Sequence, residues 1–145
     1  MKLQLASRLA IYSVLELAAD PDSNATAAKI GQKYDVSTHH LTRVLHILRR
    51  AGLVSATRGV GGGYRFCGNA RRTTLLDVIE LFETIGEEQS DDAGKEGVAT
   101  EGLVLGKVLH EIDETIRATL NSITIATMLK LVDEARQGRG EIAAA

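Results

Sequence analysis

The stretch of sequence that decides the fold is STHHLTRVLHILRR, residues 37–50. Its aliphatic residues recur at intervals of three and four, as they do on the buried face of an amphipathic helix; they are Leu41, Val44, Leu45 and Leu48. Because Ser37 is a favourable N-cap residue, the spacing predicts a helix over 38–50. The opposite face carries hydrogen-bond donors and cations, namely His39, Arg43, His46 and Arg50, with His40 and Thr42 on its flanks.

The neighbouring segments complete a recognisable arrangement. Helical periodicity predicts one helix over 3–19 and a second over 27–34, joined by a polar connector. After the third helix, strand-like runs at 53–57 and 64–67 flank RGVGGG, residues 58–63, which is typical of a flexible hairpin loop. Two helices joined by a short turn and followed by a β-hairpin form a winged helix-turn-helix. We therefore predict a mainly α protein with three helices and a β-hairpin wing, followed by a long C-terminal dimerisation helix.

The C-terminal half is predicted to be helical as well. The pattern indicates a fourth helix from Thr73 to Gly86, an acidic loop, a long helix over 103–121 and a last helix over 124–137 with a frayed tail. Along the long helix, aliphatic residues follow a heptad-like spacing that suits a partner helix; they are Leu105, Leu109, Ile112, Ile116 and Ile123. Burial against the chain's own last helix is the alternative.

These elements suggest three parts of the chain. We expect a DNA-binding domain in residues 1–72, the fourth helix and an acidic effector-type loop in 73–102, and the dimerisation helix with the final helix in 103–145. The acidic loop is expected to be solvated, with a divalent-cation site as the alternative.

The formal net charge of −2 conceals a division between the two halves. Residues 1–72 hold 11 Lys and Arg against 4 Asp and Glu, a balance of +7, whereas residues 73–145 hold 6 against 15, a balance of −9. No carboxylate lies between Val36 and Cys67, a stretch that contains five arginines. Only the basic half is therefore a candidate for binding a polyanion, and double-stranded DNA is the partner that we expect.

The expected DNA contacts lie on the third helix and on the wing. In a helix-turn-helix, the first residues of the second helix meet base edges in the major groove. Arginine at a wing tip suits a narrow minor groove, and glycines let the backbone approach the duplex. The predicted set is Thr38, His39, His40, Thr42, Arg43, His46, Arg50, Arg58, Gly59, Gly61 and Arg65. A merely solvated basic face, a metal site at the histidines and a winged helix that binds another protein are the alternatives.

Several stretches, taken together, resemble the bacterial Rrf2 (Rrf-two) family of winged-helix transcription regulators. The most specific is RGVGGGY, residues 58–64, which is similar to the family's wing. Residues 41–54 resemble the family's recognition helix and its exit, and residues 120–125 resemble the start of its final helix. The resemblance implies a homodimer that binds a palindromic operator, and a fourth helix and loop that relay the state of an effector. We expect a transcription regulator acting as a repressor, with an effector that the sequence leaves unknown.

The chain also departs from this family. Many members hold an iron–sulfur cluster through three cysteines in the loop after the fourth helix. This chain has one cysteine, and Ala93 and Ala99 lie near the positions where the first two ligands would fall. A cluster held in that way is excluded, and we expect no cofactor and no bound metal. Arg8 stands where some members carry an acidic ligand, which removes that ligand too.

The sole cysteine, Cys67, is informative about the cellular compartment of the protein and about an alternative function. One thiol forms no internal disulfide, and we see neither a secretory signal nor an apolar stretch of bilayer length, so we expect a cytoplasmic protein without a membrane partner. Because nearby arginines favour a thiolate, a redox-sensing role of Cys67 is an alternative, beside that of a small apolar filler. No residue pairing resembles a nucleophile with its base, so we expect no enzyme.

Overall fold

A computed structural model describes residues 1–86 and 99–144 of the chain. The elements in this part of the chain are α1 (Leu5–Ala19), α2 (Ala27–Tyr34), α3 (Thr38–Arg50), β1 (Val54–Thr57), β2 (Gly63–Phe66), α4 (Leu75–Ile79), α5 (Thr100–Ser122) and α6 (Ile125–Ala144). The two strands form an antiparallel hairpin. The predicted class, a mainly helical winged helix-turn-helix followed by a long helix, is confirmed.

The helix-turn-helix is formed by α2 and α3 with a tight turn between them. Asp35 ends α2 in the left-handed conformation, with φ 54°, and the Val36 N–H donates to the Gly31 carbonyl oxygen over 2.9 Å. A Cβ atom at Gly31 would lie 2.7 Å from the Val36 carbonyl oxygen, so the turn packs on α2 where only glycine fits. Ser37 then caps α3 by accepting a hydrogen bond from the His40 N–H, as the sequence predicted.

One hydrophobic core joins all parts of the described chain. The inward residues of α3 are at most 2% exposed and pack with residues of α1, of the wing, of α4 and of the start of α6. Members of this cluster include Leu9, Val14, Leu17, Leu41, Leu45, Leu48, Val54, Phe66, Val78, Ile79 and Ile125. The division of the chain at residues 72 and 102 stays a prediction, but hydrophobic packing crosses both positions.

Two helix ends lie seven residues from the positions that the sequence predicted, whereas the other ends agree to within three residues. The Thr74–Asp77 capping box begins α4, with the Thr74 N–H donating to the Asp77 carboxylate over 2.9 Å, but α4 ends at Ile79 rather than near Gly86. The chain continues from Ile79 in turns, in which the Phe82 N–H bonds to the Ile79 carbonyl oxygen. The prediction of a frayed tail after residue 137 was wrong, since α6 extends to Ala144. No proline interrupts this helix, and each helical glycine costs only about 1 kcal/mol relative to alanine.

The junction between α5 and α6 is joined to the start of α4 by a short backbone bridge. The Leu75 N–H donates to the Ile123 carbonyl oxygen and the Ile125 N–H donates to the Thr73 carbonyl oxygen, each over 2.9 Å. The Thr74 hydroxyl adds a hydrogen bond of 3.2 Å to the Asn121 side chain. The long helix is thereby anchored to the core at its C-terminal end. None of the described helices combines the length and apolar character that crossing a membrane requires.

A polar cluster fastens α2 to α1. The Tyr34 hydroxyl and the Lys33 ammonium both donate to one Glu16 oxygen, over 3.1 and 2.5 Å, and the rings of Tyr12 and Tyr34 stack at 5.1 Å. Burial, together with the charge of Glu16 and the hydrogen bond to it, raises the pKa of Tyr34 to about 12. Burial alone would raise the pKa of Glu16, but the hydrogen bonds from Lys33 and Tyr34 outweigh it and lower that pKa below its ordinary value.

We expect Tyr34→Phe to lower the free energy of unfolding by at most about 1 kcal/mol near pH 8, because one partly exposed hydrogen bond is lost. Since the folded pKa of Tyr34 is raised from 10.0 to about 12, its contribution is complete below pH 10 and is lost as the pH rises toward 12. Urea unfolding at several pH values measures this dependence. Tyr12→Phe is the control and should lose stability between pH 10 and pH 12 as the wild type does. If the free energy of unfolding of Tyr34→Phe falls as much over this range as that of the wild type, the assignment to Tyr34 is contradicted.

Candidate nucleic-acid interface

The outward face of α3 is a row of basic and polar side chains. Because four aliphatic residues face the core, positions 39, 43, 46 and 50 must face outward, and His39, Arg43, His46 and Arg50 are all exposed. Thr38 and Thr42 are exposed beside them, and the Thr42 hydroxyl donates to the Thr38 carbonyl oxygen over 2.8 Å. Such a face can donate to base edges and to phosphates along one groove of a duplex.

The wing is a short hairpin whose tip is built mainly from glycine. Thr57 pairs with Gly63 at the end of the sheet, and Arg58 is exposed in the loop that follows β1. At Gly63, φ is 142° and an added Cβ atom would lie 2.8 Å from the Ala25 carbonyl oxygen, so a side chain there would be strained and would clash. Val60 is wholly exposed at the tip.

The connector before α2 holds the wing in place, a role that the sequence did not indicate. The Asn24 side-chain amide donates to the Gly61 carbonyl oxygen over 2.9 Å, and the backbones of Ala25 and Tyr64 exchange two hydrogen bonds. The Arg65 guanidinium donates to the Asp22 carbonyl oxygen over 2.9 Å. These contacts join residues about 40 positions apart, and no local periodicity signals them.

The structure places most of the predicted DNA contacts on accessible surface. Of the 11 residues, 10 are exposed and His40 is half-buried. Arg58, Gly59 and Gly61 share the wing tip, whereas Arg65 lies on β2 and is bound to the connector. A guanidinium has five N–H donors, so one bond to Asp22 leaves others available. The DNA-binding role of each residue stays a prediction.

The N-terminal part of α5 carries an exposed apolar face. Five large side chains share one side of this helix and are between 47% and 58% exposed: Val104, Leu105, Val108, Leu109 and Ile112. Of the predicted seam, Ile116 is half-buried, and Ile123 packs against the chain's own core. The exposed face therefore runs from Val104 to Ile112 and excludes Ile123. A contiguous apolar face of this kind marks an interaction surface.

Glu83, just after α4, is a further residue that the sequence analysis missed. One of its carboxylate oxygens accepts hydrogen bonds from the Gln4 N–H, over 2.8 Å, and from the hydroxyl of the buried Ser7. Gln4 is the N-cap of α1 and makes no side-chain cap of its own. Glu83 therefore supplies a cap and a negative charge at this helix N-terminus from 79 residues away.

Cys67 is exposed, and its Sγ donates to the Gly52 carbonyl oxygen over 3.3 Å; its redox role stays a prediction. Within residues 1–86 and 99–140, no group of three or more His, Cys, Asp or Glu side chains is placed to hold a metal ion. The acidic loop predicted after α4 falls largely in residues 87–98, outside the described residues.

Comparison with known proteins identifies the class of protein to which this chain belongs. The family model described as Rrf2, iron-dependent transcriptional regulator, matches residues 3–131. The HTH-type transcriptional regulator BadM of Rhodopseudomonas palustris is 46% identical over 137 residues, which cover 94% of this chain and 86% of that protein.

Solved structures of other proteins share the fold of this chain. IscR of T. potens superposes with a TM-score of 0.76 at 26% identity, covering 93% of this chain and 90% of that one. CymR of B. subtilis superposes with a TM-score of 0.74 at 24% identity, covering 90% and 98%, and supports the fold.

The fold and its basic outward helix are those of a winged-helix DNA-binding regulator. The chain belongs to the Rrf2 family of transcriptional regulators. The family's description names iron, but this chain cannot hold an iron–sulfur cluster through three cysteines, because Cys67 is its sole cysteine. The residues present therefore do not fit an iron–sulfur cluster with three cysteine ligands.

We expect Glu83→Ala to lower the free energy of unfolding by about 1–2 kcal/mol, because it leaves the buried Ser7 hydroxyl and the N-terminus of α1 without their acceptor. Glu80→Ala is the matched control. Glu80 belongs to the same segment, but its partner is the partly exposed Arg117, so its removal should cost less than about 1 kcal/mol. Denaturant unfolding of both variants measures the difference, and equal losses would contradict the capping role.

Proposed function

We propose that this protein is a homodimeric transcriptional repressor that binds a palindromic operator through α3 and the wing. The observation that carries the proposal is the outward face of α3, where His39, Arg43, His46 and Arg50 are exposed on one side of a helix whose other side is buried. No carboxylate occurs from Ser37 to Phe66, so no negative charge in this stretch opposes the approach of a duplex.

The contacts divide into two kinds by their place on the molecule. The first turns of a recognition helix reach base edges, so His39 and Arg43 are assigned to the major groove, where arginine can bond guanine with two donors. Arg50, at the end of α3, is assigned to backbone phosphates. On the wing, Arg58 extends from a glycine-rich tip that can enter a narrow minor groove.

The exposed face of α5 supports a homodimer. Five large apolar side chains on one side of α5, each roughly half exposed, would be buried if two copies of α5 packed against each other. A two-fold dimer presents two copies of α3 to the duplex, so the operator of such a dimer is palindromic. A bound dimer excludes other proteins from the same stretch of duplex, which is the simplest way in which a regulator represses.

The DNA assignment is tested with duplexes selected from a random-sequence pool and then titrated by fluorescence anisotropy. Arg43→Ala should weaken binding to the selected sequence by about 1–3 kcal/mol and relax its base preference, because a base contact is lost. Arg50→Ala should weaken all sequences alike and reduce the salt dependence. Arg136→Ala on α6, outside the proposed interface, is the control.

The result that would contradict the assignment is wild-type affinity in both Arg43→Ala and Arg58→Ala. Binding that hardly changes with salt would also contradict it, and would favour a winged helix that recognises another protein, since neutralising phosphates makes DNA affinity fall steeply with ionic strength.

The dimer is tested by placing a charge on the exposed face of α5. Leu109→Glu should convert the dimer to a monomer in sedimentation-velocity experiments, because a carboxylate would be buried unpaired between two copies. The control is Leu131→Glu, which changes an equally exposed leucine on α6 and should leave the dimer intact. A wild-type protein that sediments as a monomer at micromolar concentration, or a Leu109→Glu variant that remains a dimer, would contradict the proposed interface.

A further inference from the structure

A cavity of about 340 Å³ opens beside the recognition helix. It lies between the start of α1, the N-terminal half of α3 and the turn that follows α4. The lining side chains that matter chemically form two sets: the donors His39, His40 and Arg43, and the apolar side chains of Ala6, Ile47 and Phe82. The volume falls within the range of pockets that take small organic molecules.

The donor side of the cavity favours a negatively charged ligand. Two imidazoles and one guanidinium line it, and no carboxylate does. The carboxylate next to Phe82 in the chain, that of Glu83, accepts hydrogen bonds from Gln4 and Ser7 on α1. The acidic group nearest in sequence to the cavity wall is thus engaged elsewhere, and a carboxylate brought by a ligand would meet charge-assisted donors.

The apolar side has no role in binding a phosphate backbone. Ile47 is 38% exposed on α3 although its helix neighbours Val44 and Leu48 are buried, and Phe82 is half-buried opposite it. The phosphate backbone of a duplex gains nothing from such a wall next to Arg43, whereas a hydrocarbon chain or ring would be removed from water there. The combination of a basic wall with an apolar wall selects an amphipathic anion.

We propose that this cavity binds a small organic carboxylate with a hydrocarbon body, and that the ligand and DNA compete for α3. His39 and Arg43 line the cavity and also belong to the proposed base-reading set. Occupation by a carboxylate therefore removes the donors that DNA requires, and linkage requires that each ligand weaken the other to the same degree. The competition rests on the proposed function; binding of the carboxylate does not.

Binding is tested on the DNA-free, full-length protein by ¹H–¹⁵N NMR titration with three probes. Octanoate has both the charge and the hydrocarbon body, octanamide has the body alone, and acetate has the charge alone. Octanoate should give saturable shifts at the amides of Ala6, Val44 and Ile47, with an affinity at least about tenfold higher than that of either other probe. Absence of saturation below about 10 mM octanoate, or shifts confined to α5, overturns the proposal.

Two arginines of α3 provide a matched pair of variants. Arg43→Gln should lower octanoate affinity at least about tenfold because its guanidinium lines the cavity, whereas Arg50→Gln should leave it unchanged because Arg50 does not. Ile47→Ser should also weaken octanoate, and circular dichroism checks that each variant is folded. Equal octanoate affinity in the wild type and in both Arg43→Gln and Ile47→Ser overturns the site.

The competition is tested separately with a selected duplex. Octanoate near saturation should raise the apparent Kd of the duplex severalfold, and octanamide should not. If octanoate binds the cavity but leaves the duplex affinity unchanged, the competition is overturned. If the protein binds no duplex at all, the proposed function fails, while the NMR titration still decides the carboxylate site.

Discussion

The burial of one aliphatic stripe on α3 is the constraint on which the rest of the structure depends. Leu41, Val44, Leu45 and Leu48 are almost fully buried, and each contributes roughly 1.5–3 kcal/mol by leaving water. Turning the helix by one residue would expose part of that stripe and push Arg43 toward the core, where an unpaired charge costs several kcal/mol. The core therefore determines which side chains α3 presents to a partner, although none of the presented residues belongs to the core.

A second level of organisation comes from hydrogen bonds between distant segments. Asn24 and Asp22 hold the wing from the connector before α2, and Glu83 holds the start of α1 from the turn after α4. The bonds from Asn24 and Asp22 tie the wing, which is proposed to meet DNA, to a connector outside the predicted contact set. A change at the turn around Phe82 and Glu83 would thus reach both α1 and the wall of the cavity beside α3.

The charge division of the chain agrees with this arrangement. The basic half, with a balance of +7, contains α3 and the wing, and the acidic half, with −9, contains the long helix with its exposed apolar face. A duplex attracts the first half and repels the second. In the proposed assembly, charge would orient the molecule on DNA and apolar burial on α5 would join two copies, so the two proposed partners would be bound by different physical forces.

The sequence by itself determined the features that depend on local sequence pattern: which side chains of α3 face inward and outward, the Ser37 cap and the glycine-rich wing. It also determined, through its single cysteine, that a three-cysteine cluster has no ligands here. Only the tertiary structure decided that Ile123 packs on its own core, that Arg65 binds Asp22 and that Glu83 caps α1. These contacts join residues far apart in the chain, and a one-dimensional pattern carries no signal for a partner that approaches only when the core closes.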